Sequence, residues 1–97
     1  MDMETLMAQA QDLQSKISAA QDSLAQMQVR GIGGNGSVVV TMTGKYDVLS
    51  VVIQPVALEN GAESVSRFVM DAYVDAKSKA DALIEKTMSE VTGSLSE

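Results

Sequence analysis

The sequence predicts an α+β domain in which two long helices flank a two- or three-stranded antiparallel sheet. Three observations lead to this prediction. Apolar residues recur every three or four positions up to Met27, β-branched runs follow in the middle of the chain, and a second helical stripe occupies its last third. Helices and strands separated along the chain in this way are typical of α+β folds. No repeat or linker divides the 97 residues, so we expect one domain over 1–97.

The first helix is predicted over about residues 3–27. Its apolar positions follow a heptad pattern: Met3, Leu6, Ala10, Leu13, Ile17, Ala20, Leu24 and Met27. A helix of that length spans on the order of 35–40 Å, which is more than a small domain covers from within. The heptad therefore predicts a partner helix in a dimer, with Leu6, Leu13 and Ile17 at the interface.

Three strands are predicted next, over about residues 28–32, 37–43 and 48–54. β-branched residues dominate the second and third strands, and Pro55 ends the third. Both faces of the sheet carry valines, so we expect a partner subunit to cover one of them. The sheet residues assigned to that homodimer interface are Val38, Val40, Val51 and Ile53.

The last helix is predicted over about residues 63–92, after a loop from Pro55 to Ala62. Glu63 places acidic charge in its first turn, where the helix dipole favours it, and Gly93 is expected to end it. Alanines at the centre of its apolar stripe allow another element to approach closely.

The composition excludes most catalytic chemistry. The chain contains no Cys and no His, so thiolate zinc sites, cysteine nucleophiles and imidazole acid/base catalysis are absent. We therefore expect a protein that is not an enzyme and binds neither a metal nor another cofactor. No apolar run approaches the roughly 18 residues of a membrane helix, and the N-terminus is acidic, so we expect a cytoplasmic protein with no membrane partner.

One motif invites a nucleotide-binding hypothesis. Residues 31–36 fit G-x-G-x-x-G, but the dinucleotide motif requires a helix after the glycines, and here a valine-rich strand follows. We interpret the cluster as a hairpin turn.

The net charge of −6 opposes binding to phosphates. Most cations have an acidic neighbour four positions away: Lys16 with Asp12, Lys77 with Asp81, Lys79 with Asp75, Lys86 with Glu90, and Arg67 with Glu63 and Asp71. A solvated helix surface is the simpler interpretation. Lys79 and Lys86 nevertheless share a helical edge, which a symmetric dimer would present twice to a duplex.

The central segment resembles a known family. Residues 34–44, followed by 51–58, are similar to the G-x-G-x-V-x-V-x-x-x-G … V-x-I-x-P-x-x-L core of the YbaB/EbfC family of bacterial nucleoid-associated proteins. The resemblance implies a tweezer-like homodimer whose helical arms bind double-stranded DNA in the nucleoid. Given the acidic charge, we expect weak, salt-sensitive binding with little sequence specificity. The candidate DNA-binding residues are Lys79, Lys86, Lys77, Lys16 and Arg30.

A second hypothesis belongs to another class. The acidic chain could be a dimeric protein-interaction module with little or no DNA binding, whose heptad or Met-rich helices dock a protein partner. Recovery of a stoichiometric protein partner after nuclease treatment would favour this hypothesis over DNA binding.

Overall fold

A computed structural model describes residues 2–95 and has the predicted α+β architecture. A long N-terminal helix, a three-stranded antiparallel sheet and a long C-terminal helix follow one another along the chain. The elements are α1 (Met3–Gln26), β1 (Gln28–Gly33), β2 (Val38–Thr43), β3 (Val48–Ile53), α2 (Pro55–Leu58) and α3 (Gly61–Leu95). The molecule measures 68 × 18 × 15 Å, because the two long helices extend far beyond the sheet.

Helix α1 begins at a side-chain cap. The Asp2 carboxylate accepts a hydrogen bond from the Thr5 N–H at 2.8 Å, and this bond lowers the pKa of Asp2. Only the C-terminal part of α1 is covered. Its buried residues, Ala20 and Leu24, lie where α1 packs against α3. Every residue from 2 to 15 is exposed. The N-terminal half of the predicted heptad thus has no partner within the described chain.

The strands lie in the order β1-β2-β3 and pair antiparallel throughout. Gly31 pairs with Val40, which in turn pairs with Val51, and a bulge after Thr41 shifts the far end of the β2–β3 register. The turn before β3 is tied to α3 by Tyr46, whose hydroxyl donates a hydrogen bond to the Asp81 carboxylate. That bond raises the pKa of Tyr46 above its usual 10.0.

Helix α3 lies across β1 and β2, and this contact forms the core. Val38, Val40 and Met42 of β2 pack against the alanine stripe of the helix at Ala72, Ala76 and Ala80. Gly31 and Gly33 of β1 face the same stripe without side chains, so the helix backbone rests directly on the strand. Small residues on both surfaces allow this close approach.

The structure departs most from the sequence prediction after β3. Pro55 starts the short helix α2 where a loop was predicted, because its fixed φ suits the first helical position. Ala57 of that helix is buried in the core. Helix α3 begins earlier than predicted, at Gly61, and continues through Gly93 to Leu95. A glycine within a helix costs only about 1 kcal/mol relative to alanine, too little to end a helix this long.

Candidate functional site

The candidate site is a surface of the elongated molecule. Within residues 2–95, no group of three or more metal-ligating side chains converges. In that same range, no helix has the length and apolarity needed to cross a bilayer. The glycine cluster at residues 34–36 forms a tight turn between β1 and β2, with left-handed φ at Asn35, and not the start of a long helix.

Three of the five sequence-predicted cations lie along one edge of α3 and β1. The Lys79 ammonium donates to the Arg30 carbonyl oxygen at 2.7 Å, which brings these two residues together. Lys86 follows Lys79 by seven residues, about 10 Å along the helix and on the same side. We call Arg30, Lys79 and Lys86 the basic edge. Arg30 and Lys86 are exposed, as is Lys79.

One carboxylate also lies on the basic edge. Asp75 accepts a hydrogen bond from the Ile32 N–H at 2.9 Å and forms an ion pair with Lys79 at 3.1 Å. These contacts, first the Ile32 bond and then Lys79, lower the pKa of Asp75 below its usual value. Lys79 is thus partly neutralised, which leaves Arg30 and Lys86 as the cations with more freedom to meet a phosphate.

Only some of the expected ion pairs form in residues 2–95. Lys16 pairs with Asp12 at 3.2 Å, and Lys79 pairs with Asp75. In both, the acidic residue precedes the lysine by four positions, which is the favourable orientation on a helix. Lys77, Lys86 and Arg67 form no ion pair with a described residue, and Asp81, the expected partner of Lys77, bonds Tyr46 instead.

The other two predicted cations lie elsewhere. Lys77 is nine residues from Lys86, about 180° around the helix, so it faces away from the basic edge. Lys16 lines a groove between α1 and α3, next to Ala20, Thr87 and Glu90. The structure therefore divides the five candidates among three surfaces.

Strand β3 presents the most exposed apolar surface of the sheet. All six of its residues are exposed, and Val51 and Ile53 remain 46% and 39% exposed although they share a face with the core. On the opposite face, Ile32, Val39 and Val52 form a continuous row across the three strands. We call residues 48–53 the β3 surface. The sequence assigned Val51 and Ile53 to a homodimer interface, but it assigned Val38 and Val40 there as well, so it did not indicate that α3 covers β2 and leaves β3 uncovered.

Two predicted interface residues require correction. Val38 and Val40 are 0% and 1% exposed, because α3 of the same chain already covers them. They are therefore unavailable to a partner subunit. Their cross-strand neighbours Ile53 and Val51 lie beyond the reach of α3 and stay accessible, as do Leu6 and Leu13 on α1, while Ile17 is half-buried.

Comparison with known proteins gives consistent matches over nearly the whole chain. A model of the YbaB/EbfC DNA-binding family matches residues 1–95. A nucleoid-associated protein of Gloeothece citriformis is 39% identical over 94 residues, covering 97% of this chain and 82% of that protein. One from Bradyrhizobium diazoefficiens is 41% identical over 91 residues, covering 93% and 86%.

A solved structure has the same fold. The crystal structure of an uncharacterized protein from Helicobacter pylori superposes with a TM-score of 0.77 and covers 98% of each chain. Its sequence identity to this chain is 19%, so the likeness concerns the fold.

Proposed function

The chain belongs to the YbaB/EbfC DNA-binding family, and from this premise we propose that it binds double-stranded DNA as a homodimer with little sequence specificity. Membership of this family, together with the names of its relatives, identifies a nucleoid-associated DNA-binding protein and not an enzyme. The proposed site of action is the nucleoid in the cytoplasm, and the proposed effect is on nucleoid organisation or gene expression.

The basic edge is the observation that supports DNA binding best. Arg30 of β1 and Lys86 of α3 are exposed on one side of the elongated molecule, and neither forms an ion pair with a described residue. Exposed cations of this kind contact phosphates, and phosphate contacts carry no sequence information. Few such contacts on a chain of net charge −6 favour weak binding.

A salt series tests DNA binding by the wild-type protein. We expect fluorescence anisotropy with a labelled duplex to show micromolar or weaker binding at low salt, with affinity falling linearly in a log–log plot as salt rises. Two duplexes of equal length and unrelated sequence should bind within a few-fold of each other. Absence of binding at low salt, or affinity independent of salt, would contradict the proposal.

The homodimer is supported by the β3 surface. Its valines and Ile53 are exposed, and the free edge of the strand offers main-chain hydrogen bonds as well. Exposed apolar strands of this kind are rare on monomers. We propose that Val51 and Ile53 pack against a second copy, and that Leu6, Leu13 and Ile17 of α1 contribute farther along the arm.

Charge on the β3 surface is expected to break the dimer. For the wild type, light scattering should give a mass near twice 10.2 kDa. Val51→Lys should shift the mass toward the monomer, because it places a charge where the partner subunit packs. Val74→Lys, an equal change at an exposed valine of α3, should leave the dimer intact. A monomeric wild type, or equal behaviour of the two variants, would refute this interface.

A protein partner is the second candidate function. The observation that favours it is the uncovered first half of α1, where Met3, Leu6 and Met7 are exposed. Methionine-rich apolar surfaces accept varied partners. Affinity purification with and without nuclease treatment distinguishes the two functions. A stoichiometric protein recovered after nuclease treatment would support the interaction module. Recovery of DNA and no protein from the untreated sample would count against it.

A further inference from the structure

Two side chains of α3 occupy the free edge of β1. Along an edge strand, the main-chain N–H and C=O groups of alternate residues bond the neighbouring strand, and those of the residues between them point to the free edge. In β1 the residues whose main-chain groups point to the free edge include Arg30 and Ile32. The Ile32 N–H donates to Asp75 at 2.9 Å, and the Arg30 carbonyl accepts from Lys79 at 2.7 Å. An ion pair of 3.1 Å links Asp75 to Lys79.

These two main-chain groups are among those that an added strand would use. A neighbouring strand would donate to the Arg30 carbonyl and accept from the Ile32 N–H. The ion pair supplies one donor and one acceptor at the same two positions, so it takes the place of one residue of that strand. We call the Asp75–Lys79 pair the edge clip.

The opposite edge of the sheet has no comparable cover. Within residues 2–95, no side chain forms a hydrogen bond with the main chain of β3. Ile32 on β1 and Val52 on β3 are the exposed ends of one apolar row on the outer face of the sheet. If β3 of one copy paired with β1 of another, the apolar rows of the two copies would form one continuous surface. The complementary occupant of the β1 edge is therefore β3 of another copy.

We propose that the β1 edge is a latent docking surface for β3 of a second copy, and that the edge clip keeps it closed. Pairing β1 with β3 joins two different surfaces, so each added copy exposes a new edge and the assembly grows without closing. With β1 closed, strand addition is confined to β3, where a symmetric contact ends in a dimer. With β1 open, pairing of β3 with β1 competes with that symmetric contact. This proposal concerns assembly alone and does not depend on DNA binding.

Removing the edge clip should allow copies of the chain to assemble through β1–β3 pairing. Sedimentation velocity over a concentration series is expected to give the double variant Asp75→Ala/Lys79→Ala a weight-average mass at least about twofold above wild type, rising with concentration. Glu63→Ala/Arg67→Ala is the matched control, since it removes an equally spaced acidic and basic residue from exposed positions of the same helix, and should keep the wild-type mass. A clip variant with wild-type helix content by circular dichroism and wild-type mass would overturn the proposal.

A third substitution tests the occupant. Adding Val52→Lys to the clip variant places a charge on β3 and should abolish the growth. Growth that persists would exclude β3 as the docking strand.

Hydrogen exchange of the wild type tests the edge clip without any variant. The amide of Ile32 should exchange more slowly than that of Arg30, and equal rates would overturn the proposed clip. Because mass is compared with wild type, a monomeric wild type would contradict only the proposed dimer.

Discussion

Gly31→Ala is expected to unfold the protein or leave it with little stability. A Cβ at Gly31 would overlap the Ala72 carbonyl oxygen and the Ala76 nitrogen, and would lie 2.7 Å from the Ala76 Cβ. Two of these three atoms are backbone, so no side chain can move aside. We expect the free energy of unfolding to fall by about 4 kcal/mol or more, beyond ordinary overpacking. Urea unfolding followed by circular dichroism measures it, and the whole stability of a typical domain is only about 5–15 kcal/mol.

Gly93→Ala is the matched control. This glycine lies inside α3, and a Cβ there would meet nothing within 4 Å. Alanine should stabilise the helix by roughly 0.5–1 kcal/mol, so the same chemical change has the opposite sign at the two positions. A Gly31 variant that unfolds at the wild-type urea concentration would show that α3 does not rest on β1 as described.

Arg30→Ala/Lys86→Ala is expected to weaken DNA binding most. The pair removes the two cations of the basic edge that no described carboxylate neutralises. The slope of log affinity against log salt should fall by about 0.9 for each phosphate that the variant no longer neutralises. Affinity at moderate salt should drop on the order of 10-fold or more, because the proposed dimer loses both cations from each of its two subunits. Anisotropy titration of a duplex at several salt concentrations gives both values.

Arg67→Ala/Lys77→Ala separates local contacts from net charge. Both residues are exposed on α3 but away from the basic edge, and the variant carries the same overall charge as the Arg30/Lys86 variant. The Arg67/Lys77 variant should show nearly the wild-type slope of log affinity against log salt. If the two double variants weaken binding equally, the overall charge and not the basic edge governs affinity.

Local pattern was sufficient to predict the main elements. Apolar spacing identified both long helices, and β-branched runs identified β2 and β3, because each pattern depends on residues close in sequence. Helix α2 was missed for a related reason. Proline after a strand indicates a break, although it is also well suited to a first helical turn, and the burial of Ala57 that stabilises this helix depends on distant residues.

The division of the sheet between core and surface could not be predicted locally. Alternation places Val40 and Val51 on one face, yet the first is buried and the second exposed. The difference arises because α3 lies over β1 and β2, a position permitted by Gly31 and Gly33. The bond from Ile32 to Asp75 spans 43 positions, so no pattern of neighbours signals it. The bond from Lys79 to the Arg30 carbonyl spans 49 positions and is equally invisible to local pattern, although it makes Lys79 a partner of strand β1.

Contact between backbone and backbone gives α3 a fixed direction. Where helices pack through bulky side chains, repacking lets the axis shift, but the glycines of β1 leave no such layer between strand and helix. Beyond Ala80, helix α3 continues past the sheet in this direction and packs against the C-terminal half of α1. Substitutions on the exposed surface of α3 should therefore change its charge without changing the direction of the helix relative to the sheet.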